Sequence, residues 1–291
     1  MIYSMTGYSS AIRDLGSAIL SLEIKSVNSR YLDISFRLHE DLRFLEMPLR
    51  EKIAEKIGRG KIECRAYLQA QPGQDGKTRE RTPNVAMLKE LGKLDNAVRQ
   101  LMPQAAALSV AEILRWPGVL AEEVLTQEQL QSATLECFSG LMAEFVASRE
   151  REGAKLTAVL RERADRMREQ ISAATPLLPV ALTAYRERLA TKLREAVANL
   201  DEDRIRQEIG IFAAKIDVAE EVARLVTHLD EVERVLKKGG AAGKRLDFLM
   251  QELNREANTL ASKSVSADVT GIALELKLLI EQMREQVQNL E

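Results

Sequence analysis

Apolar and polar side chains alternate with a period of two through much of the first third of the chain. In AILSLEIKS, Ala18, Leu20, Leu22 and Ile24 oppose Ser21, Glu23 and Lys25. YLDISFRL sets Leu32, Ile34, Phe36 and Leu38 against Tyr31, Asp33, Ser35 and Arg37. KIECRAYLQA sets Ile62, Cys64, Ala66 and Leu68 against Lys61, Glu63, Arg65 and Tyr67. This alternation predicts strands with one buried face. The DLGS turn at Asp14–Ser17 predicts an earlier strand through Thr6–Ile12. Between strands, LRFLEMPLREKIAEKIG places Leu45, Leu49, Ile53 and Ile57 on one side of a helix that Gly58 should end.

After a polar Gly/Pro-bearing loop at 71–83, the pattern becomes helical from about Asn84, with Asn84 and Ser109 as caps. A very long helix is expected from about Gln127 through Ala173, interrupted by Pro176 and Pro179, with another following through about Leu200. LDEDRIRQEI at 200–209 opens a further helical unit with acids where the helix dipole favours them. KKGGAAGK at 237–244 predicts a flexible break. The expected architecture is α+β: a small antiparallel-sheet N-terminal domain, 1–155, followed by an extended, mostly α-helical C-terminal region, 156–291.

The helix FLMQELNREANTLASKS, 248–264, carries more kinds of polar group than space-filling requires. At 100° per residue, Leu246, Leu249, Met250, Leu253, Ala257 and Leu260 form an apolar stripe. Glu252, Glu256, Thr259 and Lys263 flank it on one side, Gln251, Arg255, Asn258 and Ser262 on the other. In the preceding helix Asp217, Glu221, Arg224 and His228 fall on one line. If the two helices pack as a hairpin, Glu221 and His228 approach Glu252 and Glu256. Carboxylates with one imidazole suit Mn²⁺ or Mg²⁺, and such an ion can activate water and stabilise a phosphoryl transition state. Lys263 or Arg255 would offset charge on the phosphate. The ordinary reading of the same pattern is a solvated face of weak ion pairs.

Net charge is −2, so a polyanion must be met by a local basic surface. One candidate is Lys237, Lys238, Lys244 and Arg245, beside a helix N-terminus that favours anions. GGAAGK is not a nucleotide-binding P-loop, since Arg245 follows the lysine and no strand precedes it. The other candidate is Lys25, Asn28, Arg30, Arg37 and Arg65 in the first domain, although Glu23, Asp33 and Glu63 share that surface. Cys64 and Cys137 form no CxxC pattern, which suits a reducing compartment. MIYSMTGYSS lacks the pattern of a signal peptide, and no apolar run could span a bilayer, so a cytoplasmic protein without a membrane partner is expected.

SMTGYS, EIKSVNSRYLD, EEVARLVTHLD, GKRLDFLMQELNREANTLASKS and ELKLLIEQMREQVQNLE together resemble the bacterial YicC family. The resemblance covers both ends of the chain, and the helical middle is less distinctive. It implies metal-dependent endoribonuclease activity on RNA and a homo-oligomer, expected to be a hexamer. It assigns no catalytic residues. The candidates are therefore those of the helix faces: Glu252, Glu256, His228, Lys263 and Arg255 for catalysis, and Glu221, His228, Glu252 and Glu256 for metal. The rival readings are a non-catalytic RNA-binding oligomer that delivers RNA to another nuclease, and a purely structural helical assembly.

Overall fold

A computed structural model describes residues 1–70, 83–120, 125–196 and 202–291. The expected loop at 71–83 therefore lies almost wholly outside the described residues. Strands β1 (Gly7–Asp14), β2 (Ala18–Val27), β3 (Leu32–Leu38) and β4 (Gly60–Ala70) form one sheet in the order β1-β2-β4-β3. β1 and β2 meet through the predicted turn, where Gly16 takes φ 82° and its N–H donates to Asp14 Oδ1 at 2.7 Å.

The sheet is mixed, which corrects the expectation of an antiparallel one. β1–β2 and β2–β4 are antiparallel, but β3 and β4 run parallel, with Ile34 opposite Ile62. The cause is the connection between them. A 3₁₀ turn (Glu40–Leu45) and helix α1 (Glu46–Ala54) carry the chain back across the sheet, as parallel neighbours require. α1 stops before Gly58, yet Leu45, Leu49, Ile53 and Ile57 are all buried, as their spacing predicts.

Helices α2 (Val85–Leu101) and α3 (Val110–Arg115) begin at the predicted caps. Asn84 Oδ1 accepts from the N–H groups of Ala86 and Met87, and Ser109 forms a capping box with Glu112. Helix α4 then runs unbroken from Gln127 to Ala196, about 105 Å at 1.5 Å per residue. Pro176 and Pro179 lie inside it and do not interrupt it, contrary to expectation. Proline's fixed φ is itself helical, and the lost hydrogen bonds are offset by packing. Ala174 is buried, while Leu177 and Leu178 lie against the helical core.

The remaining elements are α5 (Glu202–Lys215), α6 (Ala219–Lys238), α7 (Gly243–Lys263) and α8 (Ala267–Val287). α4 belongs to two cores, and the division expected at 155/156 falls within it. Its Phe138, Leu141, Met142 and Phe145 cover the sheet beside Leu22, Ile24, Ile62 and Cys64. Its Leu160, Ala164, Met167 and Ile171 pack with α6, α7 and α8.

Residues 1–6 lie in the junction between these cores. The N–H of Ser4 donates to Arg149 O at 3.0 Å, that of Met5 to Asn289 O at 2.8 Å, and that of Glu291 to Tyr3 O at 2.9 Å. Arg149, only 3% exposed, donates from Nε to Ser4 O at 2.6 Å and pairs with Glu291. At Gly153 on α4 an added Cβ would stand 2.2 Å from Ile2 O, whereas at Gly140 on the same helix nothing lies within 4 Å. Gly153→Ala should therefore destabilise the protein by about 1–3 kcal/mol through forced backbone movement, while Gly140→Ala should stabilise it by up to about 1 kcal/mol. Thermal denaturation of the two variants beside wild type checks both signs.

Candidate functional site

The apolar stripe Leu246, Leu249, Met250, Leu253, Ala257 and Leu260 is buried, as its spacing predicts, against Leu225, Leu229 and Val232 of α6. This packing makes α6 and α7 an antiparallel hairpin. Lys237 and Lys238 end α6, and Lys244 and Arg245 begin α7. The break between them is thus limited to 239–242, and the N–H of Gly240 within it donates to Met1 O at 3.0 Å.

Two acids go into this interface with the apolar residues. Glu221 is 3% exposed and Glu256 5%. A buried carboxylate is tolerated only when charges and donors answer it. Arg224 supplies both: its Nε donates to Glu256 Oε2 at 2.8 Å and its Nη2 to Glu221 Oε1 at 3.2 Å. Its other nitrogen pairs with Glu220. Lys263 donates to Glu221 Oε1 at 2.9 Å and to Asp217 O at 3.1 Å. Burial pushes the Glu221 carboxyl up, but the hydrogen bond from Lys263 and the charges of Lys263 and Arg224 bring it below its ordinary value. The hydrogen bond to Glu256, with the acids around it, raises the Arg224 guanidinium. One atom is left over: Glu221 Oε2 is buried with no hydrogen-bond partner.

The hairpin register distributes the other predicted residues. Contacts Glu221–Lys263, Arg224–Glu256 and Glu231–Arg245 run antiparallel, which places His228 and Glu252 at levels between the last two. Glu252 is half-buried, and among the described residues it has no ion-pair partner. Arg255 is exposed. His228 lines a cleft of about 420 Å³ with Glu231, Arg234, Arg245 and Phe248. Asp217 lies before α6 rather than in it and accepts from the N–H of Ala219.

The four residues expected to hold metal do not converge as one donor set. Glu221 and Glu256 share Arg224, His228 lines the neighbouring cleft, and among the described residues no group of three or more His, Cys, Asp or Glu is placed to hold an ion. Sequence reasoning put Arg224 on the correct line but gave it no role. Its spacing from Glu220 and Glu221 is the signal that marks it. Arg234 and Phe248 carried no such signal, since their neighbourhood exists only once the hairpin closes.

The first-domain cations gather on the outer sheet face. Glu63 accepts from Lys25 at 2.7 Å, Arg65 at 2.8 Å and Arg37 at 3.0 Å. The hydrogen bonds from Lys25 and Arg65 hold its carboxyl down to about 2. Arg30 lies over the Tyr31 ring. Asn28 is committed elsewhere, donating to Gln288 O at 2.7 Å. At the hairpin end Lys238 and Lys244 are exposed, Lys237 pairs with Glu233 at 3.4 Å, and Arg245 with Glu231 at 3.2 Å.

Two outcomes follow from the acid–cation network. Arg224→Met leaves buried Glu256 without its cation and Glu221 with Lys263 alone, and should lower the melting temperature. Adding Glu256→Gln should recover part of that loss in a double-mutant cycle. Because the folded Glu221 carboxyl lies below its unfolded value of 4.5, its contribution is present above that value and lost as pH falls through the folded one. Lys263→Met removes the principal lowering interaction and narrows the gap to the unfolded value, so the variant's loss of melting temperature on acidification should be smaller than that of wild type and end at higher pH. A series of melting temperatures from pH 7 to about pH 3 reads the displacement.

A family described as the N-terminal region of endoribonuclease YicC-like proteins matches residues 2–158, and one described as their C-terminal part matches 174–291. "Probable endoribonuclease YicC" of Haemophilus influenzae is 42% identical over 296 residues, covering 100% of both chains. The protein of the same name from Clostridioides difficile is 26% identical over 300 residues, again covering 100% of both.

Proposed function

The chain belongs to the endoribonuclease YicC-like family, and on that premise we propose that it cleaves RNA internally, in the cytoplasm, using the polar face of the α6–α7 hairpin. One observation carries the choice of face. Glu221 and Glu256 are buried beside Arg224 and Lys263, while Glu221 Oε2 and the Glu252 carboxylate remain uncommitted among the described residues. Structural ion pairs use up their acceptors. A site for phosphodiester chemistry needs acceptors to spare and cations close by.

The proposed activity depends on Mn²⁺ or Mg²⁺. At phosphoryl-transfer sites these ions are commonly held by one or two carboxylates together with the substrate's own phosphate. On the hairpin register Glu252 and His228 lie at one level and would be the protein ligands beside the substrate's phosphate, whereas Glu221 and Glu256, held by Lys263 and Arg224 nearer the other end, would be charges behind them rather than members of the same donor set. When bound, the ion would activate water and screen the phosphate. Arg224 holds the two buried acids in place. Lys263, now donating to Glu221, and the exposed Arg255 would be the cations that answer developing negative charge. RNA would be held by Lys25, Arg30, Arg37 and Arg65 on the sheet and by Lys237, Lys238, Lys244 and Arg245 at the hairpin end.

The active form is proposed to be a homo-oligomer, with a hexamer as the specific expectation. Val180, Ile211, Leu274 and Leu278 are apolar side chains 47–67% exposed in the single chain, and extended helices with such residues usually find partners. Light scattering on an eluting column should give a multiple of the 32.6 kDa chain.

The test uses highly purified protein and end-labelled RNA. Internal cuts should appear with Mn²⁺ and stop with EDTA. Glu252→Gln, which keeps shape and breaks no ion pair among the described residues, should lower cleavage about 100-fold or more with RNA affinity little changed. Wild-type turnover by that variant at limiting Mn²⁺ removes Glu252 from the site. RNA binding without any cleavage would replace the nuclease by the delivering oligomer.

A further inference from the structure

The cleft beside the buried acids contains a group that neither metal binding nor phosphate neutralisation explains. Phe248 is 47% exposed on α7, although the residues on either side of it include the buried Leu246, Leu249 and Met250. It stands among charged side chains. The Arg245 guanidinium lies over its ring at 5.5 Å. His228 and Arg234 line the same cleft, and Arg234 is held by both nitrogens of its fork to Glu231, at 2.6 and 2.7 Å.

We infer that this cleft is a nucleotide subsite, in which one unpaired base of a single-stranded RNA stacks on Phe248 while Arg234 and Arg245 bind the flanking phosphate. The inference rests on the RNA-cleaving reading above and adds to it the class of substrate. Three features support it. A ring that is open to solvent and flanked by guanidinium is the arrangement that takes a base by stacking, since every base has a π-face. The two guanidiniums share the single carboxylate of Glu231, and the other acid lining the cleft, Asp230, is answered from outside it by Arg168 at 3.2 Å, so a phosphate there would meet two arginines that have one carboxylate between them. The third is position. Phe248 is one helical turn before Glu252, about 6 Å along the axis, and that is close to the advance of an extended strand per nucleotide. A base seated on Phe248 therefore brings the adjoining phosphodiester to the level of His228 and Glu252.

A base paired within a duplex has its faces stacked on its neighbours and cannot also lie on the Phe248 ring. Recognition of this kind requires the base to be splayed out, as RNA loops and single strands allow. The cleft thus selects single-stranded over fully paired RNA without reading its sequence strongly.

The experiment uses full-length protein in EDTA, where binding is separated from cleavage, and a single-stranded RNA carrying 5-iodouridine at one position. Irradiation should link the RNA to the peptide containing Phe248, as identified by mass spectrometry. Phe248→Ala should lose that link and bind the single strand about 10-fold more weakly. Phe248→Trp should restore both, and neither variant should change affinity for a fully paired duplex. The subsite is overturned if Phe248→Ala binds and crosslinks as wild type does, or if Phe248→Trp, folded by circular dichroism, restores neither. It is also overturned if Phe248→Ala changes only the mass measured by light scattering, because the ring would then be a contact between copies of the chain. Those results leave the nuclease reading standing so long as the wild type cleaves RNA in Mn²⁺. A wild type that neither binds nor cleaves RNA removes both.

Discussion

The spatial relation between the two cores depends on a guanidinium placed where water does not reach. Arg149 sits midway along the stretch of α4 that leaves the sheet and enters the helical core. A buried charge is severely unfavourable unless its donors are met. Here Ser4 O and the Glu291 carboxylate meet them, and both belong to segments remote in sequence from α4. Satisfying one side chain therefore pins residues 1–6 and the segment after α8 to the same point of the helix. From there the backbone of Met1 reaches the turn between α6 and α7. The sheet's outer face and the hairpin's polar face, which would have to contact one RNA, are both positioned by this junction.

Within the hairpin the electrostatic logic is similar, with a different outcome. At Arg149 the Nε and Nη2 donors are both answered. At Glu221 and Glu256 two cations answer two acids, yet one carboxylate oxygen stays without a partner and Glu252 stands apart. Incomplete satisfaction in a closely packed interface is unfavourable for stability, and such residues are retained where chemistry or binding needs them.

Local patterning revealed much of this fold and less of the site. The four strands follow from period-two alternation because each buries one face. The α6–α7 stripe follows from helical periodicity for the same reason. The parallel pairing of β3 and β4 was available too, since the helix at 46–54 between them is a crossover connection, but alternation alone does not report strand direction. The prolines misled because their effect depends on whether neighbours such as Ala174, Leu177 and Leu178 are held by packing, which is tertiary information. For the site, spacing placed Glu221 and Arg224 on one line and Glu256 and Lys263 on another. It could not show which cation each acid would choose, because partners across a hairpin depend on register. Phe248 was legible only in its face, since helical phase leaves it off the buried stripe; its neighbours His228 and Arg234 belong to α6 and meet it only through the hairpin register.

A rod shared by two cores is also a lever. From Arg149 to the end of α4 is about 70 Å at 1.5 Å per residue, and packing at the junction leaves that segment little freedom to bend near its base. A rotation of only about 5° there would carry the far end through about 6 Å, the length of one helical turn. Small rearrangements among Ser4, Arg149 and Glu291 are thus geared up into large displacements at the far end of the helix, and the tightness of that bearing sets how far the two halves can swing.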